Sequence, residues 1–88
     1  MLEKELEAYL VKRVKDLGGR SFKWVSPGNV GVPDRIIVLP KGRTIFVELK
    51  QPGKKPTAVQ RVVMKQLQDL GAAVHWTDSK EGVDEILA

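Results

Sequence analysis

The sequence predicts one α/β domain, spanning residues 1–88, in which the elements follow the order αβββαβα. Three observations support this prediction. The chain has 88 residues, which is enough for one hydrophobic core and too few for two. Residues 35–39 and 44–49 are β-branched and almost continuously apolar, as expected of strands covered on both faces of a sheet. Apolar residues at helical spacing in 2–17 and 57–70 predict a helix before and after these strands.

Glycines, prolines and polar residues separate the predicted elements. Gly18 and Gly19 end the first helix, Thr57 opens the second, and Gly71 ends it. Three shorter elements complete the order, namely strands over 21–25 and 73–77 and a terminal helix over 81–87. Breaker-rich loops cover 26–33 and 51–56.

The composition excludes several classes of protein. The chain has no cysteine, which rules out disulfides, thiolate metal sites and a thiol nucleophile. No apolar run reaches membrane-spanning length, and the charged start at 3–5 is unlike a signal peptide. We therefore expect a cytoplasmic protein with no membrane partner and no organic cofactor.

Positive charge is concentrated in the middle of the chain. The net charge is +4, but residues 17–68 carry ten bases and only two acids, Asp34 and Glu48. Such a surface suits a polyanion such as nucleic acid. A solvated basic surface without a partner would explain the charge equally well, so charge alone does not decide the function.

The hairpin between the two apolar strands predicts which residues meet. A three-residue loop with glycine third suits a type I turn followed by a left-handed residue. With Pro40 and Lys41 in the turn and Gly42 left-handed, the strand register places Asp34 opposite Glu48. Lys50, two residues further on, shares the face of Glu48.

Two facing carboxylates repel each other unless a positive group lies between them. Mg²⁺ suits this position because it prefers oxygen ligands and is often held by one or two carboxylates. Beside a phosphate, such an ion polarises the phosphoryl oxygens and activates water, and a lysine can stabilise the developing charge. The alternative is a surface salt bridge between Lys50 and Asp34 or Glu48, which is common and weak.

The motifs around this pair resemble a known family. Pro33-Asp34 heads one strand and Glu48-Leu49-Lys50 ends the next, which matches the PD-(D/E)xK nuclease signature. The wider set of segments that resembles the VRR-NUC family comprises Ser26-Pro27-Gly28, residues 31–35, residues 46–50, Gln60 and residues 78–84. The resemblance covers nearly the whole chain. It implies a restriction-endonuclease-like core, αβββαβ(α), whose central mixed four-stranded sheet is flanked by helices, in a compact member of the kind found in phages and therefore in a bacterial host cytoplasm.

The same resemblance implies roles for individual residues. Asp34 and Glu48 are expected to be metal ligands, the Leu49 backbone carbonyl to add a third oxygen, and Lys50 to be the catalytic lysine. Mg²⁺ is the expected metal, with Mn²⁺ as a substitute. Gln60 matches a family glutamine near the metal, although Thr57-x-x-Gln60 is also a capping-box pattern, and both can hold.

The family also uses a glutamate from the first helix, as catalytic residue and metal ligand. Glu3 and Glu7 are both candidates, four residues apart on one helical face. Glu7 is better placed, because similar archaeal Holliday-junction resolvases have a glutamate before a leucine-aliphatic pair and three turns before a glycine, as with Leu10-Val11 and Gly18 here. The alternatives are a helix-surface acid for Glu7 and a first-turn acid favoured by the helix dipole for Glu3.

Basic residues without acidic neighbours are the expected DNA contacts. They are Lys54, Lys55 and Arg61, with Arg35 and Lys23 in second place. The first functional hypothesis is a Mg²⁺-dependent DNA endonuclease selective for branched DNA or Holliday junctions, acting as a homodimer that supplies two cuts. The alternatives are a non-catalytic nucleic-acid-binding module that keeps a nuclease fold, and a purely structural domain.

Overall fold

The computed structural model describes residues 1–88 and has the predicted order of elements. The elements are α1 (Glu3–Asp16), β1 (Arg20–Lys23), β2 (Arg35–Leu39), β3 (Arg43–Leu49), α2 (Ala58–Asp69), β4 (Ala73–Thr77) and α3 (Lys80–Leu87). Most boundaries lie within two residues of those predicted. No helix is long and apolar enough to cross a bilayer.

The four strands form one mixed sheet in the order β1-β2-β3-β4. Strands β1, β2 and β3 are antiparallel neighbours. Strand β4 runs parallel to β3, because α2 carries the chain back to the end of the sheet at which β3 begins. This is the predicted fold, a mixed four-stranded sheet flanked by helices.

The hydrophobic core lies between one face of the sheet and helices α1 and α3. Its members alternate along the strands and recur at helical spacing along α1, as the sequence predicts. The buried cluster consists of Leu6, Leu10, Val14, Ile37, Leu39, Ile45, Val47, Leu49, Val83 and Leu87.

The opposite face of the sheet is covered only in part, contrary to the expectation of two fully covered faces. In α2 the single buried residue is Met64, whereas Val59 is 52% exposed and Leu70 is 85% exposed. Half-buried Phe46 and 37%-exposed Val38 also lie on this face. The reason is that one 12-residue helix packs mainly against β4 and is too small to cover four strands.

The hairpin has the predicted register, although its turn has a different conformation. Leu39 pairs with Arg43, and the pairing continues to Arg35 opposite Val47. Both Lys41 (φ 68°) and Gly42 (φ 76°) are left-handed, so the predicted type I turn with one left-handed residue was wrong in this detail. The register is unchanged because the loop still contains three residues.

Candidate active site

Asp34 and Glu48 face each other at the end of the hairpin, as the register predicted. The backbone N–H of Asp34 donates to Glu48 Oε1 over 3.1 Å. In return, the backbone N–H of Leu49 donates to Asp34 Oδ1 over 3.3 Å. The backbone of Asp34 therefore orients the Glu48 carboxylate, and the backbone of Leu49, next to Glu48, orients the Asp34 carboxylate.

The pair is electrostatically costly without a cation. Burial, and next the negative charge of Glu48, raises the pKa of Asp34 to about 6. Asp34 Oδ2 accepts no hydrogen bond from the protein, since the one bond to this carboxylate reaches Oδ1. Asp34 and Glu48 both offer hard oxygen ligands, and Asp34 Oδ2 is free to bind. This arrangement at the strand ends fits a divalent cation such as Mg²⁺.

Lys50 and Gln60 converge on the remaining oxygen of Glu48. Lys50 Nζ lies 3.2 Å from Glu48 Oε2, and Gln60 Nε2 donates to the same oxygen over 3.1 Å. The backbone N–H of Lys50 donates to the Thr77 carbonyl, so β-type pairing continues to Lys50 and keeps its side chain on the face of Glu48. The lysine is held at the carboxylate pair and is largely buried.

Gln60 has a second structural role in the same position. Its Oε1 accepts the Thr57 backbone N–H, and the Thr57 hydroxyl accepts the Gln60 N–H, which completes the predicted capping box. The cap fixes the amide plane, and the amide nitrogen then points to Glu48. Gln60 therefore caps α2 and contacts Glu48 at the same time.

The Leu49 backbone is directed towards the carboxylate pair. In a β-strand the N–H and C=O of one residue point to the same side. Because the Leu49 N–H is aimed at Asp34, its carbonyl is directed towards the same space. This orientation fits the expectation that the carbonyl serves as a third oxygen ligand.

Glu7 is not grouped with Asp34 and Glu48. Its carboxylate accepts a hydrogen bond from Arg35 and lies 3.7 Å from Lys23 Nζ. No three acidic or histidine side chains come together in a way that could hold a metal ion. Glu7 is therefore committed to two cations on the core side of the sheet.

Arg35 occupies a different environment from the surface position expected of a DNA contact. It is 7% exposed and points to the core face, where Glu7 neutralises it. The alternation of Arg35 with Ile37 and Leu39 was a sequence signal for this orientation. Its guanidinium is a buried partner of α1 and has little surface to offer to a phosphate.

Glu3 is the acid of α1 that shares a cleft with Lys50. Both residues line an open cleft of about 380 Å³, together with Gln51, Lys54, Lys55 and Thr57. The predicted DNA contacts Lys54 and Lys55 thus share the cleft of Lys50 and are exposed, and Arg61 on α2 is exposed as well. Glu3 and Glu7 were both candidates for the acid of the first helix, and Glu7 was preferred, because spacing alone could not show which turn of α1 reaches the cleft.

These features define a class of protein. A mixed αβββαβ sheet that holds two facing carboxylates and a lysine at adjacent strand ends has the PD-(D/E)xK nuclease architecture. No family model matches the chain. A curated relative, "Putative nuclease p44" of Acyrthosiphon pisum secondary endosymbiont phage 1, is 47% identical over 79 residues, which cover 90% of this chain and 85% of the relative.

Solved structures give the same assignment. One chain described as "VRR_NUC domain" superposes with a TM-score of 0.91 at 31% identity and covers 97% of this chain and 92% of its own length. A second, "VRR_NUC domain protein", has a TM-score of 0.76 at 15% identity, covers 99% of this chain and 85% of its own, and shows the shared fold. The chain belongs to the VRR_NUC family.

Proposed function

We propose that this protein is a Mg²⁺-dependent DNA endonuclease whose catalytic residues include Asp34, Glu48 and Lys50. The proposal rests above all on the facing carboxylates, whose shared space is bordered by the Lys50 ammonium. The name of the phage relative and the basic stretch 17–68 support a nucleic acid as the substrate.

Asp34, Glu48 and the Leu49 carbonyl would hold the cation, and Mn²⁺ would substitute because it accepts the same oxygen donors. A bound Mg²⁺ supplies Lewis acidity at the scissile phosphate and lowers the pKa of water. Gln60 keeps Glu48 oriented through its amide hydrogen bond. Lys50 stabilises negative charge that develops on the phosphate. Its Nζ lies 3.2 Å from Glu48 Oε2, and a small rotation of the lysine side chain would change this distance.

Phosphates on either side of the cut are held by exposed cations around the cleft. Lys54 and Lys55 line the same cleft as Lys50, and Arg61 follows Gln60 in the first turn of α2. Such contacts fix the position of the DNA backbone without reading its sequence. With so few residues near the site to contact base edges, selectivity for DNA shape is favoured over selectivity for sequence.

We further propose that branched DNA, in particular a four-way junction, is cut by a homodimer. Two incisions are needed to resolve a junction, and a two-fold dimer supplies two active sites. The incompletely covered sheet face supports dimerisation, since it exposes Phe22 and Val38 beyond what α2 covers. Sedimentation at micromolar concentration should give twice the 9.8 kDa monomer mass.

The purified protein should be assayed on linear duplex, flap, splayed arm and four-way junction of equal length, with Mg²⁺, with Mn²⁺ and with EDTA. We expect cleavage of the branched substrates with either metal and none with EDTA. Cleavage that persists in EDTA would contradict the metal mechanism. Binding without cleavage on every substrate would favour the alternative, a nucleic-acid-binding module with a nuclease fold.

A further inference from the structure

A second basic surface lies along α1. It is formed by residues other than those that contact Asp34 and Glu48. Side chains of α1 and of the neighbouring strand ends enclose an open groove of about 780 Å³. Its charged lining consists of Lys4, Lys12, Lys15, Lys23, Arg35, Glu3 and Glu7. Five cations and two acids give this lining a net charge of +3.

The cations of the groove differ in how far they are neutralised. Arg35 and Lys23 are held by Glu7, and Lys12 forms an i,i+4 pair with Asp16. Lys4 and Lys15 have no acidic partner in the structure and are exposed. These two ammonium groups are therefore available to an anionic ligand.

The shape of the groove suits an extended polyanion. Its floor on α1 includes Ala8 and Val11, which are too short to block the approach of a backbone. Lys4 and Lys15 are eleven residues apart on one helical face, which corresponds to roughly 16 Å along the axis. Phosphates of one DNA strand recur about every 3.4 Å along a duplex, so this distance spans about five base pairs.

The groove also joins the proposed active site. Glu3 lines both the α1 groove and the cleft that contains Lys50. From there α1 runs towards the other end of the hairpin, where Gly18 lies beside Pro40. A DNA backbone cut near Lys50 would pass Glu3 and continue along α1, where the lining of the groove has a net charge of +3.

We infer that the α1 groove binds the phosphate backbone of one duplex arm of the substrate, with Lys4 and Lys15 as its contacts. The identity of the partner rests on the proposed nuclease function. The groove would hold the arm on one side of the cut, while Lys54 and Lys55 hold the other side. Because it contacts only phosphates, it adds affinity and orientation without sequence selectivity.

The test is the salt dependence of binding, measured in EDTA so that no DNA is cut. Fluorescence anisotropy with a labelled four-way junction and a 20-base-pair duplex would compare wild type with Lys4→Gln/Lys15→Gln. The control Lys65→Gln/Lys80→Gln removes the same charge from positions that line neither cleft. Loss of two phosphate contacts should flatten the plot of log K against log salt by about 2 and lower affinity about tenfold.

A slope equal to that of wild type, or an equal loss in the control, would overturn the inference. Cleavage with Mg²⁺ is measured separately on the wild type, so that binding and cutting are assessed independently. If the wild-type protein binds with the expected slope but never cuts DNA, the nuclease function is contradicted and the inference that the groove binds DNA still holds. Wild type that cuts while the variant slope is unchanged would contradict the groove alone.

Discussion

Gln60 of α2 donates its side-chain amide to Glu48 at the end of β3, over 3.1 Å. The same side chain closes the capping box with Thr57, so the start of the helix and the acidic pair share one polar group. The residue that caps the start of α2 therefore also orients the carboxylate of Glu48. This relationship makes capping and site geometry separable by mutation.

Gln60→Glu should lower cleavage by at least about tenfold while leaving the helix cap intact. Glutamate at this position also forms a capping box, but its carboxylate would repel Glu48. Thr57→Ala is the matched opposite, because it should reduce stability by about 1 kcal/mol and leave the cleavage rate of folded protein close to wild type. Urea unfolding and single-turnover cleavage distinguish the two effects. Equal loss of cleavage in both variants would refute the separation.

Asp34→Asn should stabilise the metal-free protein at pH 8 and have little effect at pH 4. The folded pKa of Asp34, about 6, lies above its ordinary value of 3.8. The folded state therefore binds its proton more tightly, and the stability this contributes is lost as pH rises through 6. After allowance for solvent screening, we expect about 1 kcal/mol at pH 8. Thermal unfolding in EDTA across this range measures it, and a variant less stable at pH 8 than wild type would contradict the repulsion.

Glu3→Gln and Glu7→Gln should have different effects. Glu3 shares the cleft of Lys50, so its loss should raise the Mg²⁺ concentration for half-maximal cleavage several-fold and change stability by no more than about 0.5 kcal/mol. Glu7→Gln leaves buried Arg35 without its carboxylate and should reduce stability by about 2 kcal/mol.

Metal titrations of cleavage and urea unfolding curves separate these two residues. If Glu7 is the ligand from the first helix, as the family resemblance implies, Glu7→Gln would raise the Mg²⁺ requirement and Glu3→Gln would not. That pattern would show that the carboxylate of Glu7 leaves Arg35 when metal and DNA bind.

Lys41→Gly should raise stability by about 1 kcal/mol. Lys41 has a φ of 68°, a left-handed conformation that glycine adopts without the steric cost of a Cβ. Lys54→Gly is the matched control, because that position has no positive φ and glycine there should be neutral or destabilising. Chemical unfolding measures both, and a stability loss in Lys41→Gly would contradict the strained turn.

The sequence was sufficient to predict the register that forms the site. One loop length, three residues ending in Gly42, placed Asp34 opposite Glu48, because a sheet has a period of two and tolerates no slip. The isolation of these two acids in a basic stretch was equally visible. The left-handed conformation of Lys41 was not, since the lysine itself gives no sign of a positive φ.

Features that depend on how the helices pack could not be predicted from the pattern of apolar residues in the sequence. Periodicity showed that α2 has apolar residues but not that only Met64 would be buried, because burial depends on which strands the helix covers. Likewise, both Glu3 and Glu7 lie on one helical face, and only the tertiary arrangement directs one to Arg35 and the other to the cleft of Lys50.

The most direct test of the proposed site is the cleavage rate of Lys50→Ala on a four-way junction in Mg²⁺, compared with Lys65→Ala. Lys65 is an exposed lysine of α2 whose partner is Asp69, so its loss should leave the rate close to wild type. Loss of the ammonium beside Glu48 should lower the single-turnover rate at least a hundredfold while the circular dichroism spectrum stays native. A Lys50→Ala variant that cuts at the wild-type rate would contradict the assignment of this cluster as the active site.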